Sequence, residues 1–529
     1  MSGARASARA PRTLAIADAG GATSSVAVLG SIDGQWRLLG ALAAPAGIPE
    51  DAIVAEVRAR VSAADPALAR DLDLEPGARA GLPWLRSQSR QPATALLLGA
   101  TRRSVGLLEE EGLRTGFRCI AAPTETHDPR ELTALALRRE VSALVIGAGD
   151  PPGPDERVKL EDLAALGAAV AHRRPDLPIV LTGAMRTTRS GGSGPGPSVR
   201  AALEALWADP VDGRQALRRS AESLADLFDL RVEVVEVGFD GACRVFAEPG
   251  AAGAGPRSEM VVTARGGLVP EPLDEAVVDG VLAWTTGSHD RHRMTDRLRE
   301  LRERPWADGS GDGARLRLAA ASAALARLAD LTPAFERHAA PDLTIIAGGA
   351  FASAPPAAIA IAVAGTIRRG GATQLAWDHA RLLGPIGTIE SAAERRALLA
   401  DVAGDALLPI GTVIVAGGLG ERAATGARGG RPAARVHLES GGAVAARDIA
   451  GGVAILPLGP GEVGSARFEF TAPVRLGRRT RRVTVPVTGG LAGVVVDLRD
   501  VPLRLPERRD RRRRMIADLG TMTWPGDDR

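Results

Sequence analysis

The chain has 529 residues, 45% of them hydrophobic, and a formal charge of +3 at neutral pH. That length allows two or three domains, each burying its own core, and excludes one small domain. Its apolar residues come in short runs, well below the roughly 18 consecutive positions of a membrane span, so a soluble protein is expected.

Residues 1–12, MSGARASARAPR, carry arginines but no apolar core segment. They read as a disordered start rather than a secretory leader, and a cytoplasmic protein is expected. The next segment, RTLAIADAGGATSSVAVLG, is an apolar strand, a glycine turn and a second strand, a hairpin whose bend lies between Ile16 and Val26. Strand-like runs at 94–99, 141–147 and 178–183 then alternate with helix-period segments such as PRELTALALRRE, which indicates parallel α/β architecture. Gly, Ser and Pro mark loops at 189–198 and 248–258.

Between those loops, LRVEVVEVGFDGACRVFAE repeats the opening pattern of strand, glycine turn and strand. The segment ARLRLAAASAALARLADL predicts a helix, DLTIIAGGAFAS a strand ending in a glycine pair, and PPAAIAIAVAGTI a helix with prolines in its first turn. From about residue 405 the pattern turns to short alternating strands separated by glycines. The end, PERRDRRRRMIADLG, is a basic helix or tail; without interleaved aromatics it reads as a solvated charged face, and nucleic acid is not expected as a partner.

Two cysteines, Cys119 and Cys243, are too few for a disulfide framework and lack the paired spacing of a zinc site; interior burial is expected for both. His289 and His292 are three apart, a spacing that makes a metal pair on a helix, but no third ligand accompanies them and a polar surface turn is expected. Lys159 is the only lysine, and asparagine and tyrosine are absent. A bound phosphate would therefore meet arginine, metal or backbone amides.

A glycine-rich turn between strands lets backbone amides approach phosphate oxygens, because no Cβ stands in the way. Asp18, just before Gly20 and Gly21, can hold magnesium directly or through water, and Thr23 and Ser24 add hydroxyls. A tight hairpin needs glycine for steric reasons anyway, so this turn alone does not choose between the readings. Three pieces in order do more: Asp18 with Gly20 and Gly21, then Glu236 with Gly238, Asp240 and Gly241, then Gly348 and Gly349.

That order resembles the two phosphate hairpins and the adenosine-contacting turn of the actin/Hsp70/sugar-kinase (ASKHA) superfamily. Near the C-terminus, TIIAGGAFASAPPAAIAIAVAGTIRRGG and then GGLAGVVVDLRDVPLRLP look like the later part of the glutamate mutase L (MutL, GlmL) family, with Gly489, Gly490, Gly493, Asp497, Arg499, Pro502, Leu503 and Pro506 carrying a recurrent signature. The resemblance covers nearly the whole chain and is most specific after residue 340. It implies an α/β fold of two ribonuclease-H-like lobes, as in actin-like ATPases, with an inserted parallel α/β segment and a C-terminal β-rich module. The expected boundaries are 1–12 for the disordered start, 13–230 for the first lobe with its insertion, 231–404 for the second lobe, 405–506 for the β-rich module and 507–529 for a basic tail.

The resemblance also implies ATP and Mg as ligands, with Asp18 and Glu236 toward the metal and no cobalamin held by this chain. Its implied role is an ATP-binding chaperone or reactivating factor for a subunit of an adenosylcobalamin-dependent mutase. The chain departs from the family where chemistry is expected. Gly21, Ala22 and Ser25 stand where the first hairpin usually has hydroxyls and a lysine; Phe239, Ala242 and Cys243 replace a glycine and hydroxyls in the second; Ala184 stands where the family tends to have asparagine. Two further readings follow: a scaffold that keeps the fold and the mutase partner without hydrolysis, and a small-molecule kinase, for which no aspartate base is identifiable.

Overall fold

In the computed structural model, residues 12–524 are described except 76–81, 90–91, 149–151, 183–197, 207–211, 252–254, 288, 307–308, 334, 336–337, 368–369, 420–431, 450–451, 500–502 and 504. The expected disordered start up to residue 11, most of the loop at 189–198, Ala184 and Pro502 lie outside the described residues.

Apolar alternation builds the first sheet from β1 (Thr13–Ala19), β2 (Thr23–Ile32), β3 (Gln35–Pro45) and β4 (Trp84–Gln88). Its order is β3-β2-β1-β4: an antiparallel meander with β4 running parallel to β1. The chain then leaves to form a separate parallel sheet, ordered β6-β5-β7-β8, from β5 (Thr94–Gly99), β6 (Arg118–Pro123), β7 (Val141–Ile146) and β8 (Ile179–Leu181). Crossover helices, among them Arg102–Gly112 and Pro154–Arg173, account for the alternation seen in the sequence.

The helix Gly213–Phe228 returns the chain to the lobes. There the meander is repeated by β9 (Val232–Val237), β10 (Ala242–Glu248) and β11 (Arg257–Thr263), with β12 (Leu343–Ala347) parallel to β9 and β13 (Gly371–Asp378) parallel to β12. The order β11-β10-β9-β12 matches β3-β2-β1-β4 strand for strand. Two ribonuclease-H-like lobes of the actin-like ATPase fold result.

The remaining strands are β14 (Leu407–Val415), β15 (Ala434–Ser440), β16 (Ala443–Ile449), β17 (Val453–Leu456), β18 (Val463–Leu476), β19 (Arg478–Thr488) and β20 (Val494–Asp497). They do not all stand apart as a module of residues 405–506. β14, β20 and β17 extend the second lobe's sheet to eight strands, and only β16-β15-β18-β19 form a sheet of their own. The signature glycines explain the join: a Cβ on Gly490 would meet the backbone of Ile410, and one on Gly493 the carbonyl of Leu456. At the end of β20, Asp497 forms a buried ion pair with Arg499 at 2.7 Å. The expected basic tail is also anchored, since the helix Arg509–Thr523 buries Leu519 in the second lobe's core and Arg509 donates to the carbonyl of His289 at 2.6 Å.

The lobes share one apolar core. Ile16, Ala27 and Leu29 of the first pack with Val232, Val234 and Ile345 of the second around Leu224 and Val402. Among the described residues no helix is long and apolar enough to cross a membrane.

Candidate nucleotide cleft

The turns closing β1 to β2 and β9 to β10 are built alike. Gly20 N–H donates to the carbonyl of Thr23 at 3.0 Å, and Gly238 N–H to the carbonyl of Gly241 at 2.9 Å. Asp18 and Glu236 each sit two residues before the turn, facing Ser25 and Cys243 across their hairpins. The third glycine element follows β12, where Gly348 has φ +86° and a Cβ would run into the carbonyl of Val237. Only glycine meets both demands.

The three elements converge on one cleft between the lobes. Asp18, Gly20, Gly21 and Thr23 line one side; Glu236, Gly238, Asp240, Gly241, Gly348 and Gly349 line the other. Ser24 does not join them. It is buried on β2, because successive side chains of a strand face opposite ways, and its neighbour Ser25 points instead to the carbonyl of Ala380 at 3.4 Å. The hairpins nearly touch, since a Cβ on Gly21 would lie 2.5 Å from an Asp240 carboxylate oxygen.

Sequence reasoning missed the cations. Arg214, Arg317 and Arg381 also line the cleft, and the scarcity of lysine was the only hint that arginines would serve. Arg214 follows the cap Asp212 of the returning helix, Arg317 belongs to the helix Gly311–Leu331, and Arg381 lies just after β13. Ser87, on β4, was missed too; its hydroxyl donates to Asp18 Oδ1 at 2.8 Å.

Electrostatics follow from placing acids inside the fold. Burial pushes the Asp18 carboxyl above its usual range, opposed by Arg381 and the Ser87 hydrogen bond. Burial, and then the Asp18 charge, push Glu236 up to about 7. Two carboxylates from opposite lobes thus repel each other across the cleft. Magnesium usually takes one or two carboxylates together with phosphate oxygens and waters, so this donor pair fits it when a nucleotide supplies the rest. Among the described residues no cluster of three His, Cys, Asp or Glu groups makes a metal cage. His292 is exposed in the first turn of the helix Arg291–Glu303 and His289 precedes that helix, so they do not share a helical face.

Phe239 is half-buried against the second lobe's core, with the Arg302 guanidinium 5.9 Å from its ring centre. Phe239 therefore packs on the core and also lines the cleft beside Gly238 and Asp240, where the aromatic side chain narrows the approach to the second turn. Cys243 is buried as expected, while Cys119 is only half-buried, its thiol pushed up to about 12 first of all by desolvation.

No protein-family model matches the chain, and no curated protein matches it. Among solved structures it is similar to a PilM–PilN type IV pilus biogenesis complex, at 13% identity and TM-score 0.23 over 72% of this chain and 96% of the other. It is similar to the ethanolamine utilization protein EutJ from Carboxydothermus hydrogenoformans, at 12% identity and TM-score 0.25 over 74% and 91%. It is also similar to a ROK family glucokinase from Streptomyces griseus, in complex with glucose and AMPPNP, at 13% identity and TM-score 0.25 over 70% and 97%. Scores this low add nothing to the strand order, which is the ground for the fold.

Proposed function

We propose that the chain binds ATP with magnesium between its two lobes and acts as an accessory protein, a chaperone or reactivating factor, for an adenosylcobalamin-dependent mutase. The observation that supports nucleotide binding is the convergence of two like-built glycine hairpins and the Gly348 turn on one cleft that holds paired acids and three arginines. Backbone amides of the hairpins would meet phosphate oxygens, and Asp18 and Glu236 would hold the metal, which neutralises phosphate charge when bound. The mutase partner is supported only by the resemblance of the C-terminal segment to the glutamate mutase L family.

A scaffold that binds the partner without turning ATP over is the second reading. It is favoured by Ala22, Ala242 and Cys243, which leave both hairpins short of hydroxyls. Calorimetry with ATP and magnesium tests the first reading. Binding heat that disappears with a chelator is expected; no heat, together with mutase affinity indifferent to nucleotide, would leave the scaffold standing instead.

A further inference from the structure

The chain's single lysine, Lys159, belongs to the helix Pro154–Arg173 of the inserted sheet, so the cleft draws its positive charge from arginine. The three arginines differ in what they reach. Arg317 donates to the carbonyl of Pro305 at 2.8 Å, and Arg214 sits beside its own helix cap. Arg381 crosses from the second lobe to the first, where its Nη1 donates to Thr23 Oγ1 at 2.8 Å. Its other terminal nitrogen lies against Gly349, so closely that a methyl group there would meet it. The guanidinium thus stands between the first hairpin and the third glycine turn.

The loop that delivers it is elaborately held. Arg381 has φ +54°, a left-handed backbone that disfavours any residue with a side chain. Asp378, buried at the end of β13, accepts the N–H groups of Leu382 at 2.9 Å and Leu383 at 3.1 Å. Ser220 of the returning helix donates to the carbonyl of Leu383 at 2.6 Å. Such strain persists only where surrounding bonds over-determine it, and it clusters at ligand clamps.

The charge of Arg381 faces Asp18, Glu236 and Asp378, but its hydrogen bond goes to a neutral hydroxyl, a modest partner, whereas phosphate offers two charge-assisted bonds in matching geometry. We propose that Arg381 is the phosphate-recognition residue of this cleft: it exchanges the Thr23 hydroxyl for phosphate oxygens of the nucleotide and so sets the preference for nucleotide over nucleoside. The proposal rests on the reading that the cleft binds a nucleotide.

Calorimetric titration of the full chain with ATP, ADP and adenosine, each with magnesium, tests it on the wild type, Arg381→Gln and Arg381→Lys. The glutamine variant is expected to lose about tenfold or more in affinity for ATP and ADP while its adenosine affinity stays within about twofold, and lysine is expected to recover part of the loss. Unchanged adenosine affinity also shows that the variant is folded. An ATP affinity that is unchanged or raised in Arg381→Gln, or an equal loss for ATP and adenosine, would overturn the proposal while leaving the nucleotide reading intact. A wild type that binds none of the three overturns both.

Discussion

Asp18 and Glu236 come from opposite lobes; burial raises both, and the Asp18 charge makes Glu236 harder still to ionise. Glu236 moves from 4.5 to about 7 and the neighbouring buried Asp378 from 3.8 to about 6. Across that window the native state holds more protons than the unfolded chain, so stability is full at low pH and falls as pH rises through the folded values. The nucleotide-free protein is therefore expected to lose thermal stability between about pH 4 and about pH 7. Glu236→Gln, neutral throughout, should flatten that fall, and an unchanged slope in melting curves would show that the acid pair is not its source. Asp18 and the turn glycines were legible because a carboxylate and two glycines between apolar runs form a local pattern. Arg381 was not, since its partner Thr23 lies 358 positions away and no local pattern announces a contact made by folding.

Sheets end in edges, and β3 is one. Its N–H groups would be open to pairing with another chain, but the helix Ala392–Ala406 of the second lobe covers them: Asp401 accepts the N–H of Trp36 at 3.0 Å and Asp405 that of Leu38 at 3.2 Å. The same two bonds tie lobe to lobe. Replacing both aspartates by alanine is expected to cost about 1–3 kcal/mol, seen in denaturant unfolding, because two half-buried donors lose charged acceptors. Amide exchange at Trp36 and Leu38 should quicken at the same time; exchange as slow as in the wild type would mean the shared core alone protects that edge. The hairpins and the Gly348 turn were readable as elements from period and punctuation. The split of the β-rich segment was not, because β14 pairs with β20, Thr412 opposite Val494, and short alternating strands look the same whichever sheet they enter.

The inserted sheet leaves the first lobe in sequence yet leans on the second in space. Val262 N–H of β11 donates to the carbonyl of Arg114 at 3.3 Å, and Arg200 donates to that of Met260 at 2.6 Å. From there a chain of charges runs to the cleft: Arg118 to Glu271 at 2.9 Å, Glu271 to Arg302 at 3.1 Å, and Arg302 to Asp240 of the second hairpin at 3.3 Å. Each pair is partly exposed and individually weak, about 1 kcal/mol or less, but Arg302 also donates to the carbonyl of Val269 at 2.6 Å, which fixes the middle of the chain. A ligand that draws Asp240 or its hairpin toward phosphate and metal would pull on Arg302, and through Glu271 on Arg118. Hydrogen exchange with and without ATP and magnesium is expected to slow at both hairpins together, around 18–25 and 236–243, and to change at 114–120 of the insert. Glu271→Gln should abolish the change in the insert while leaving the protection of the hairpins. If the insert still responds in that variant, coupling runs through the backbone contacts of β11; if only one hairpin is protected, the lobes do not close on the ligand as a pair.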